Sequence, residues 1–353
     1  MKIAVLLSGG VDSSVAMHLL LQAGHREVTA FYLKVWLEDE LSRLGHCPWE
    51  EDLRFARAVC EQTGVPLRVL SVQSEYFERV VAYTIAELRA GRTPSPDLFC
   101  NQQIKFGVFF DRVREPFDKV ASGHYAQVRE NNNVFRLFRS PDPVKDQTYF
   151  LSRLSQSQLA RALFPIGHLR KTEVRKLAEQ FDLPNKARPD SQGICFLGKI
   201  PYNDFIRHYL GEKPGDIIEV GTGRVLGQHK GYWFHTIGQR SGLGLSGGPW
   251  YVVGKDVVRN RILVSHKEQR APQARAAFRA VEPHWIHRPP TDEEEGFTCK
   301  LRHGPTLIPC RVKQNADGSW AVTLAKPDPG VAPGQFCVLY RGDECLGSGR
   351  IEW

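Results

Sequence analysis

Along the first half of the chain, short apolar runs alternate with stretches of helical spacing. Lys2–Leu7 is an apolar, β-rich run, and Asp12 to Leu21 follows with helical periodicity up to a stop at Gly24. Val28–Val35 reads as a second strand, Glu50–Thr63 as a helix ending at Gly64, and Pro66–Val72 as a third strand. Tyr76–Ala90 is helical again, and Lys119–Ser122 opens a fourth strand. Alternation at this spacing predicts βαβ units, that is, an α/β fold whose parallel sheet carries helices on both faces. Right-handed crossovers then gather the functional loops at the C-terminal edge of that sheet. KTEVRKLAEQF at 171–181 predicts one more amphipathic helix, followed by the loop PNKARPDSQGIC.

Beyond residue 200 the texture changes. Glycines and short β-rich runs dominate (DIIEV, YVVG, RILV, FTCKLR, RVKQ, WAVTLA, QFCVLY), parted by turns such as Asp317-Gly318. Strands without intervening helices predict antiparallel sheet or barrel. The Pro-rich stretch 283–296 reads as a loop within or leading into the last domain. The change of texture sets an α/β domain at 1–200 apart from the rest, for which the expectation is a small central domain at 201–270 and an antiparallel β-barrel at 271–353.

Composition adds three constraints. With 42% hydrophobic and 24% charged residues, the balance is that of a globular protein and not of a disordered one. No run approaches the roughly 18 apolar residues of a membrane helix. The apolar start of MKIAVLLSGGVDSS breaks at Ser8-Gly9-Gly10 and reads as a buried strand, so the expectation is a cytoplasmic protein with no membrane partner. Eight cysteines with no C-x-x-C pair suit neither a disulfide scaffold nor a zinc ribbon. The net charge is +8, and between Lys255 and Arg279 seven Lys/Arg face only Asp256 and Glu268. That run suits a polyanion such as RNA or a plain solvated surface, and charge alone does not choose.

The strongest local signal is Ser8-Gly9-Gly10-Val11-Asp12-Ser13-Ser14, between the first strand and the first helix. Its glycines let backbone approach a phosphate, and Ser13 and Ser14 open a helix whose free N–H groups attract anions. The terminal Gly-Lys-[Ser/Thr] of a Walker A loop is missing. The string resembles the pyrophosphate-binding loop of ATP pyrophosphatases, the class in which ATP adenylates an oxygen. Gly242 to Gly247 also fits G-x-G-x-x-G, but outside any strand-to-helix context, and reads as a loop.

Two cysteines stand in distinctive surroundings. Arg92-Thr93-Pro94-Ser95-Pro96-Asp97-Leu98-Phe99-Cys100-Asn101 precedes an amphipathic run at Ile104–Val113. Two prolines stiffen this loop, Asn101 can cap the helix, and Cys100 then sits near a helix N-terminus, where a thiol ionises more readily. The other is Cys195, in the polar loop Asp190-Ser191-Gln192-Gly193-Ile194-Cys195-Phe196. Either one alone reads more simply as a buried structural residue.

Taken together, these segments resemble the 2-thiouridylase (MnmA) family over nearly the whole chain. The shared motifs are SGGVDS, TPSPDLFCN, Ala121-Ser122-Gly123-His124-Tyr125-Ala126, KDQTYFL at 145–151, DSQGICF, His235-Thr236-Ile237-Gly238-Gln239-Arg240 and Ala332-Pro333-Gly334-Gln335. Leu33, Ser95 and Ala187-Arg188-Pro189 depart from the usual pattern. The resemblance implies an ATP pyrophosphatase (adenine nucleotide alpha-hydrolase-like) domain in which Leu6, Leu7, Ser8, Gly9, Gly10, Val11, Asp12 and Ser13 hold ATP phosphates with Mg2+. Leu33 and Gly123 would lie near the adenosine. Ser95, Pro96 and Asp97 would receive the flipped wobble uridine of a tRNA anticodon stem-loop. His124, Lys145, Asp146, Gln147, Arg302, His303 and Gln335 would touch tRNA, although His124 by itself reads as a structural hydrogen-bonder. The implied chemistry makes Cys195 a persulfide carrier, charged by a cysteine desulfurase or a sulfur-relay protein, and Cys100 a nucleophile. Asp97 would be an acid or base. A less favoured alternative has Asp97, Cys100 and Cys195 ligating an iron–sulfur cluster.

Overall fold

The computed structural model describes residues 1–35, 49–190, 200–266, 274–291 and 293–353. β1 (Ile3–Leu6) is fully buried, with Ile3 and Val5 packed into one cluster and Ala4 and Leu6 into another. A strand buried on both faces belongs in the middle of a parallel sheet. It pairs there with β2 (Val28–Lys34), which in turn pairs with β3 (Leu67–Ser71), and on its other side with β4 (Lys119–Ser122). After a hairpin of β5 (Ala126–Asn131) and β6 (Val134–Arg139), the short β7 (Ala162–Leu163) completes the parallel order β3-β2-β1-β4-β7. α1 (Val11–Gln22) and the helix Trp49–Thr63 cover one face around Ile3, Val5, Met17, Leu53 and Val59. On the other face Phe31 meets Phe109 edge to face at 5.0 Å, over a core with Leu6, Leu98 and Phe106. The chain leaves β1 toward β2 while β4 lies on the opposite side, so the strand order reverses between β1 and β4. In open α/β sheets such a reversal is where ligands bind, beyond the C-terminal ends of the strands.

The helix expected at Tyr76–Ala90 is built as three contiguous segments, Gln73–Tyr76, Phe77–Val81 and Ala82–Arg89, the middle one in wide π turns. A similar run joins Pro96–Phe99, π-helical Cys100–Val108 and Phe109–Arg112. Helix thus begins well before Ile104, and Asn101 does not cap it. Ser95 holds the N-cap position, while Asn101 lies buried inside the helix and donates Nδ2 to the Phe150 carbonyl at 3.2 Å. Proline explains the early start: Pro96 at the first helical position supplies a preset φ and has no N–H to leave unpaired. Cys100 consequently sits one turn inside the helix.

The central unit opens with the helix Tyr202–Leu210 and continues as a four-stranded sheet. Its strands are β8 (Gly215–Glu219), β9 (Val225–His229), β10 (Trp250–Asp256) and β11 (Arg261–His266), in the order β10-β11-β8-β9. One apolar cluster runs from Val72, Tyr76 and Cys100 into Trp233, Val252 and Ile262, so this unit is packed directly on the helices of the first.

The last unit holds β12 (Arg275–Trp285), β13 (Phe297–Lys300), β14 (Ile308–Gln314), β15 (Trp320–Asp328), β16 (Phe336–Arg341) and β17 (Glu344–Glu352). They run β12-β15-β14-β13-β16-β17, and β17 pairs back to β12, closing an antiparallel barrel around Phe278, Cys299, Trp320 and Ile351. The pattern along the chain did not foreshadow the fate of the β5–β6 hairpin. It leaves the first domain's sheet and adds to β17 through Cys345↔Leu137, so a hairpin from the first domain extends the barrel sheet. Among the described residues no helix is long and apolar enough to cross a membrane.

Candidate active site at the edge of the parallel sheet

The loop after β1 has little freedom. Gly9 holds φ at +76°, and a Cβ there would come within 2.2 Å of the Asp52 carbonyl oxygen, so only glycine fits. Ser13 Oγ donates to the Gly10 carbonyl at 3.0 Å and accepts from the Ser8 amide at 3.2 Å, which curls the loop onto the start of α1. Gly10 is the N-cap of α1 and brings no side chain to its first-turn amides. Those amides and the positive end of the helix dipole form a site for an anion. Gly123, at the end of β4, packs backbone to backbone against the loop, because a Cβ there would lie 2.6 Å from the Ser13 nitrogen. Leu33, half-buried at the end of β2, packs in the same cluster as Cys100.

Charged side chains then tie this loop to the segment that precedes Cys195. Asp12 Oδ1 accepts from the Tyr125 hydroxyl at 2.8 Å and from Lys171 Nζ at 2.6 Å. Lys171 also lies 2.7 Å from Asp190 Oδ1, and Lys145 and Arg175 pair with the same carboxylate. Burial by itself would raise the Asp190 pKa, but hydrogen bonds from Lys145 and Lys171 outweigh it and hold the carboxyl well below its usual range. Burial and the Asp12 charge push the Tyr125 hydroxyl far up, so it remains a donor. Asn185 Nδ2 donates to the Gly9 carbonyl at 2.8 Å. Arg188 donates to that carbonyl at 3.0 Å and to Asp52 Oδ1 at 2.6 Å. Arg188 thus fills one of the positions that depart from the family pattern and is part of the loop's support.

Sequence reasoning missed Tyr125, Lys171, Asn185 and Arg188 as parts of this site. One signal was available: Lys171 is a cation in the first turn of a helix, where the macrodipole disfavours it. Such a residue invites a search for the carboxylates that hold it.

The segment Ser95 to Cys100 is braced by the barrel. Gln335 Nε2 donates to the Pro94 carbonyl at 3.0 Å, and the Thr93 amide donates to the Pro333 carbonyl at 2.8 Å. Arg92 forms a two-pronged pair with Glu87, and the Ser95 amide donates to the Tyr83 hydroxyl at 3.3 Å. Ser95, Pro96 and Cys100 are buried and Asp97 is half-buried. Cys195, with Ser191 to Phe196, lies outside the described residues.

The remaining expected residues fall into two sets. His124 and Asp146 are buried, at 8% and 1% exposure. The His124 ring packs against Phe106 and Phe164 with Nδ1 2.8 Å from Ser122 Oγ, and burial, helped by the Lys105 charge, lowers its pKa well below the ordinary value. Asp146 Oδ2 receives Lys300 Nζ from the barrel at 2.6 Å, and its Oδ1 receives the Thr148 hydroxyl at 2.8 Å. The other set reaches the surface. Gln147 exchanges hydrogen bonds with the Tyr125 backbone, and His303 stacks on Phe150 at 4.7 Å. Arg302 is exposed and pairs with Asp328.

Three family models match the chain in succession. They are described as a tRNA methyl transferase HUP domain over residues 1–199, a tRNA methyl transferase PRC-barrel domain over 203–266 and an aminomethyltransferase β-barrel domain over 275–351. Named relatives align end to end. The chain is 47% identical to the tRNA-specific 2-thiouridylase MnmA of Parabacteroides distasonis, covering 99% of both chains. It is 46% identical to MnmA 1 of Bacteroides thetaiotaomicron and 45% identical to MnmA of Porphyromonas gingivalis, again over 99% of each chain. Among solved structures it shows a distant resemblance, 18% identity and a TM-score of 0.36, to the U34-tRNA thiolase NcsA from Methanococcus maripaludis with its [4Fe-4S] cluster, covering 55% of this chain and 61% of that one. The phosphate loop, the helix-borne Cys100 and the match from end to end agree: the chain belongs to the tRNA-specific 2-thiouridylase MnmA family.

Proposed function

We propose that the chain uses ATP to activate the carbon-2 oxygen of the wobble uridine in tRNA and replaces it with sulfur, releasing AMP and pyrophosphate. The observation that supports this reading is that an anion-binding loop and a cysteine-bearing helix are linked by shared packing at the edge of the sheet. Leu33 of the sheet shares a cluster with Cys100, and Phe106 of the same helical run packs on His124 beside Gly123. An oxygen on carbon 2 of uracil is a poor leaving group, and adenylation turns it into AMP, a good one. The α1 amides hold the phosphates while the oxygen attacks, and Lys171 supports Asp12 beside them. Magnesium held with the triphosphate would neutralise its charge, and Asp12 is the loop carboxylate able to take it. Methyl transfer, which two of the family descriptions mention, would leave this loop without a task.

Sulfur reaches the site on Cys195 as a persulfide supplied by a cysteine desulfurase or a relay protein. In one order of events Cys100 attacks the inner sulfur of that persulfide, releases hydrosulfide onto the activated base and leaves a Cys100–Cys195 disulfide. In the other, the outer persulfide sulfur attacks the base and Cys100 resolves the adduct to the same disulfide. Asp97, one helical turn before Cys100, is placed to move the proton. Ser95 and Pro96 would line the pocket for the flipped base, and Gln335 fixes that segment through the Pro94 carbonyl. Lys145, Gln147, Arg302 and His303 would meet tRNA at the surface, whereas the buried His124 and Asp146 would act by holding β4 and the barrel in place. The test is pyrophosphate release, which should require both tRNA and a sulfur donor for sustained turnover. Release that ignores tRNA would refute the reading.

A further inference from the structure

The reaction at the sheet edge leaves the turn at 235–240 without a task. This turn is clasped to β10: the Gly238 amide donates to the Val252 carbonyl at 2.8 Å, and the Val252 amide donates to the Gln239 carbonyl at 2.9 Å. Directly after Val252 the ladder to β11 slips. Val252 faces Val264, but Gly254 then faces Leu263 and Lys255 faces Ile262, so Val253 is an extra residue, a β-bulge. Without it, the alternation starting from buried Val252 would bring Gly254 and Asp256 inward. With it, Lys255 is opposite Ile262, which has 0% exposure, and shares its face of the sheet.

The result is a lysine aimed into the protein. Its ammonium nitrogen is buried and has no hydrogen-bond partner among the described residues, and the same holds for Nδ1 of the buried His235. The neighbouring His229 does not answer them. Its ring lies 5.7 Å from that of His235, but its Nδ1 accepts from the Gly231 amide at 2.9 Å and its Nε2 faces the Asn260 carbonyl at 3.1 Å. Two orphaned buried nitrogens, delivered by a bulge and a clasped turn, need an explanation, and an anion supplies it by accepting from both.

We infer that Lys255 and His235 form a subsite for a phosphate-type oxyanion in the central unit, supplied either by free phosphate or pyrophosphate or by the RNA backbone. Two exposed cations stand close by in the chain: Lys230 follows His229 and Arg259 precedes Asn260, each with its side chain 70% exposed and paired with one carboxylate, Glu212 at 3.4 Å and Asp256 at 3.5 Å. Burial pushes the Lys255 pKa down to about 8 and, with the charges of His229 and Lys255, that of His235 to about 4. A bound anion would raise both again.

The test uses the full chain and inorganic phosphate. Thermal unfolding is followed in potassium phosphate against potassium chloride at matched ionic strength, for the wild type and for Lys255→Met, which fills similar space without the charge. The inference predicts a Tm that climbs with the logarithm of phosphate concentration in the wild type, by more than in Lys255→Met, with part of the excess kept in Lys255→Arg. Phosphate held at the loop near Asp12 would raise all three alike. An equal rise in wild type and Lys255→Met, or no rise at all, overturns the subsite. Filter binding of tRNA then separates the sources. If the RNA backbone supplies the oxyanion, Lys255→Met weakens binding several-fold and lowers the salt slope by about one. If free phosphate is the ligand, tRNA affinity is unchanged while the Tm difference persists.

Discussion

Lys300 and Asp146 meet at 2.6 Å with both side chains at 0% exposure, and this contact joins the barrel to the KDQTYFL segment of the first domain. Lys300 stands on β13, and Asp146 also takes Arg139 at 3.4 Å and the Thr148 hydroxyl, which lies 3.1 Å from the Tyr340 hydroxyl. Removing one partner strands a charge in the interior. Lys300→Met should therefore cost about 3–5 kcal/mol in urea unfolding, and Asp146→Asn a comparable amount. The double variant should lose clearly less than the sum of the two. Additive losses would show that the pair does not work as a unit.

Asp12 sits in the phosphate loop and is held by Lys171 and Tyr125. Asp12→Ala should abolish tRNA-dependent pyrophosphate release while leaving tRNA retention on filters nearly unchanged. Lys171→Met should lower the rate in the same assay, because it releases Asp12 and Asp190 together. Unchanged turnover in Asp12→Ala would remove the loop from the reaction.

How far the sequence foretold this site follows from the kind of information each part carries. The parallel sheet was legible because Lys2–Leu7 and Val28–Val35 are local apolar runs, and the phosphate loop because Gly9 and Gly10 answer a local backbone demand. The closed barrel was legible only as strands without helices, since strand order depends on pairings such as β12 with β17 across the whole unit. Nothing local marks the β5–β6 hairpin as belonging to the barrel sheet, as its partner is some 200 residues away; Cys345 pairs with Leu137. The same distance hid Lys300 as the partner of Asp146, and Lys171 as the bridge from Asp12 to Asp190. Asn101 was misread because an asparagine between a proline-stiffened loop and the amphipathic run Ile104–Val113 looks like a cap, whereas Pro96 starts the helix sooner and the tertiary partner Phe150 claims the side chain.

Affinity for tRNA should fall steeply with salt, because phosphate contacts by Lys and Arg release counterions. Arg302, exposed on the barrel, forms a two-pronged pair with Asp328 at 3.1 and 3.2 Å and can exchange that partner for a phosphate. Arg302→Ala should weaken binding several-fold and flatten the plot of log affinity against log salt. A slope near zero in the wild type would reduce the basic excess to surface charge.

The histidines make stability depend on pH with a definite sign. Burial lowers the pKa of His124, His229 and His284, and that of His235 to about 4, from an ordinary value of 6.5. Below pH 6.5 the unfolded chain takes up protons that the folded chain refuses, so stability should fall from about pH 6.5 downward. His235 alone should account for about 3 kcal/mol between pH 6.5 and 4. His235→Asn should reduce the slope of stability against pH in that window, measured by urea unfolding. A pH-independent stability there would contradict the buried, neutral assignment.

The most direct test of the account is the mass of the wobble nucleoside after reaction with tRNA, ATP, magnesium and a persulfide-charged sulfur donor. The wild type should yield 2-thiouridine, Cys100→Ser and Cys195→Ser should each yield none, and Cys60, Cys299, Cys310, Cys337, Cys345 and Cys47 should tolerate serine or alanine with product retained. After a single turnover without reductant, peptide mapping of the same sample should find Cys100 linked to Cys195. An oxygen-sensitive, iron-containing protein that forms product without that disulfide, and loses its iron in Asp97→Ala, would instead favour the cluster. Full 2-thiouridine formation by either single serine variant, with iron absent, would contradict the account.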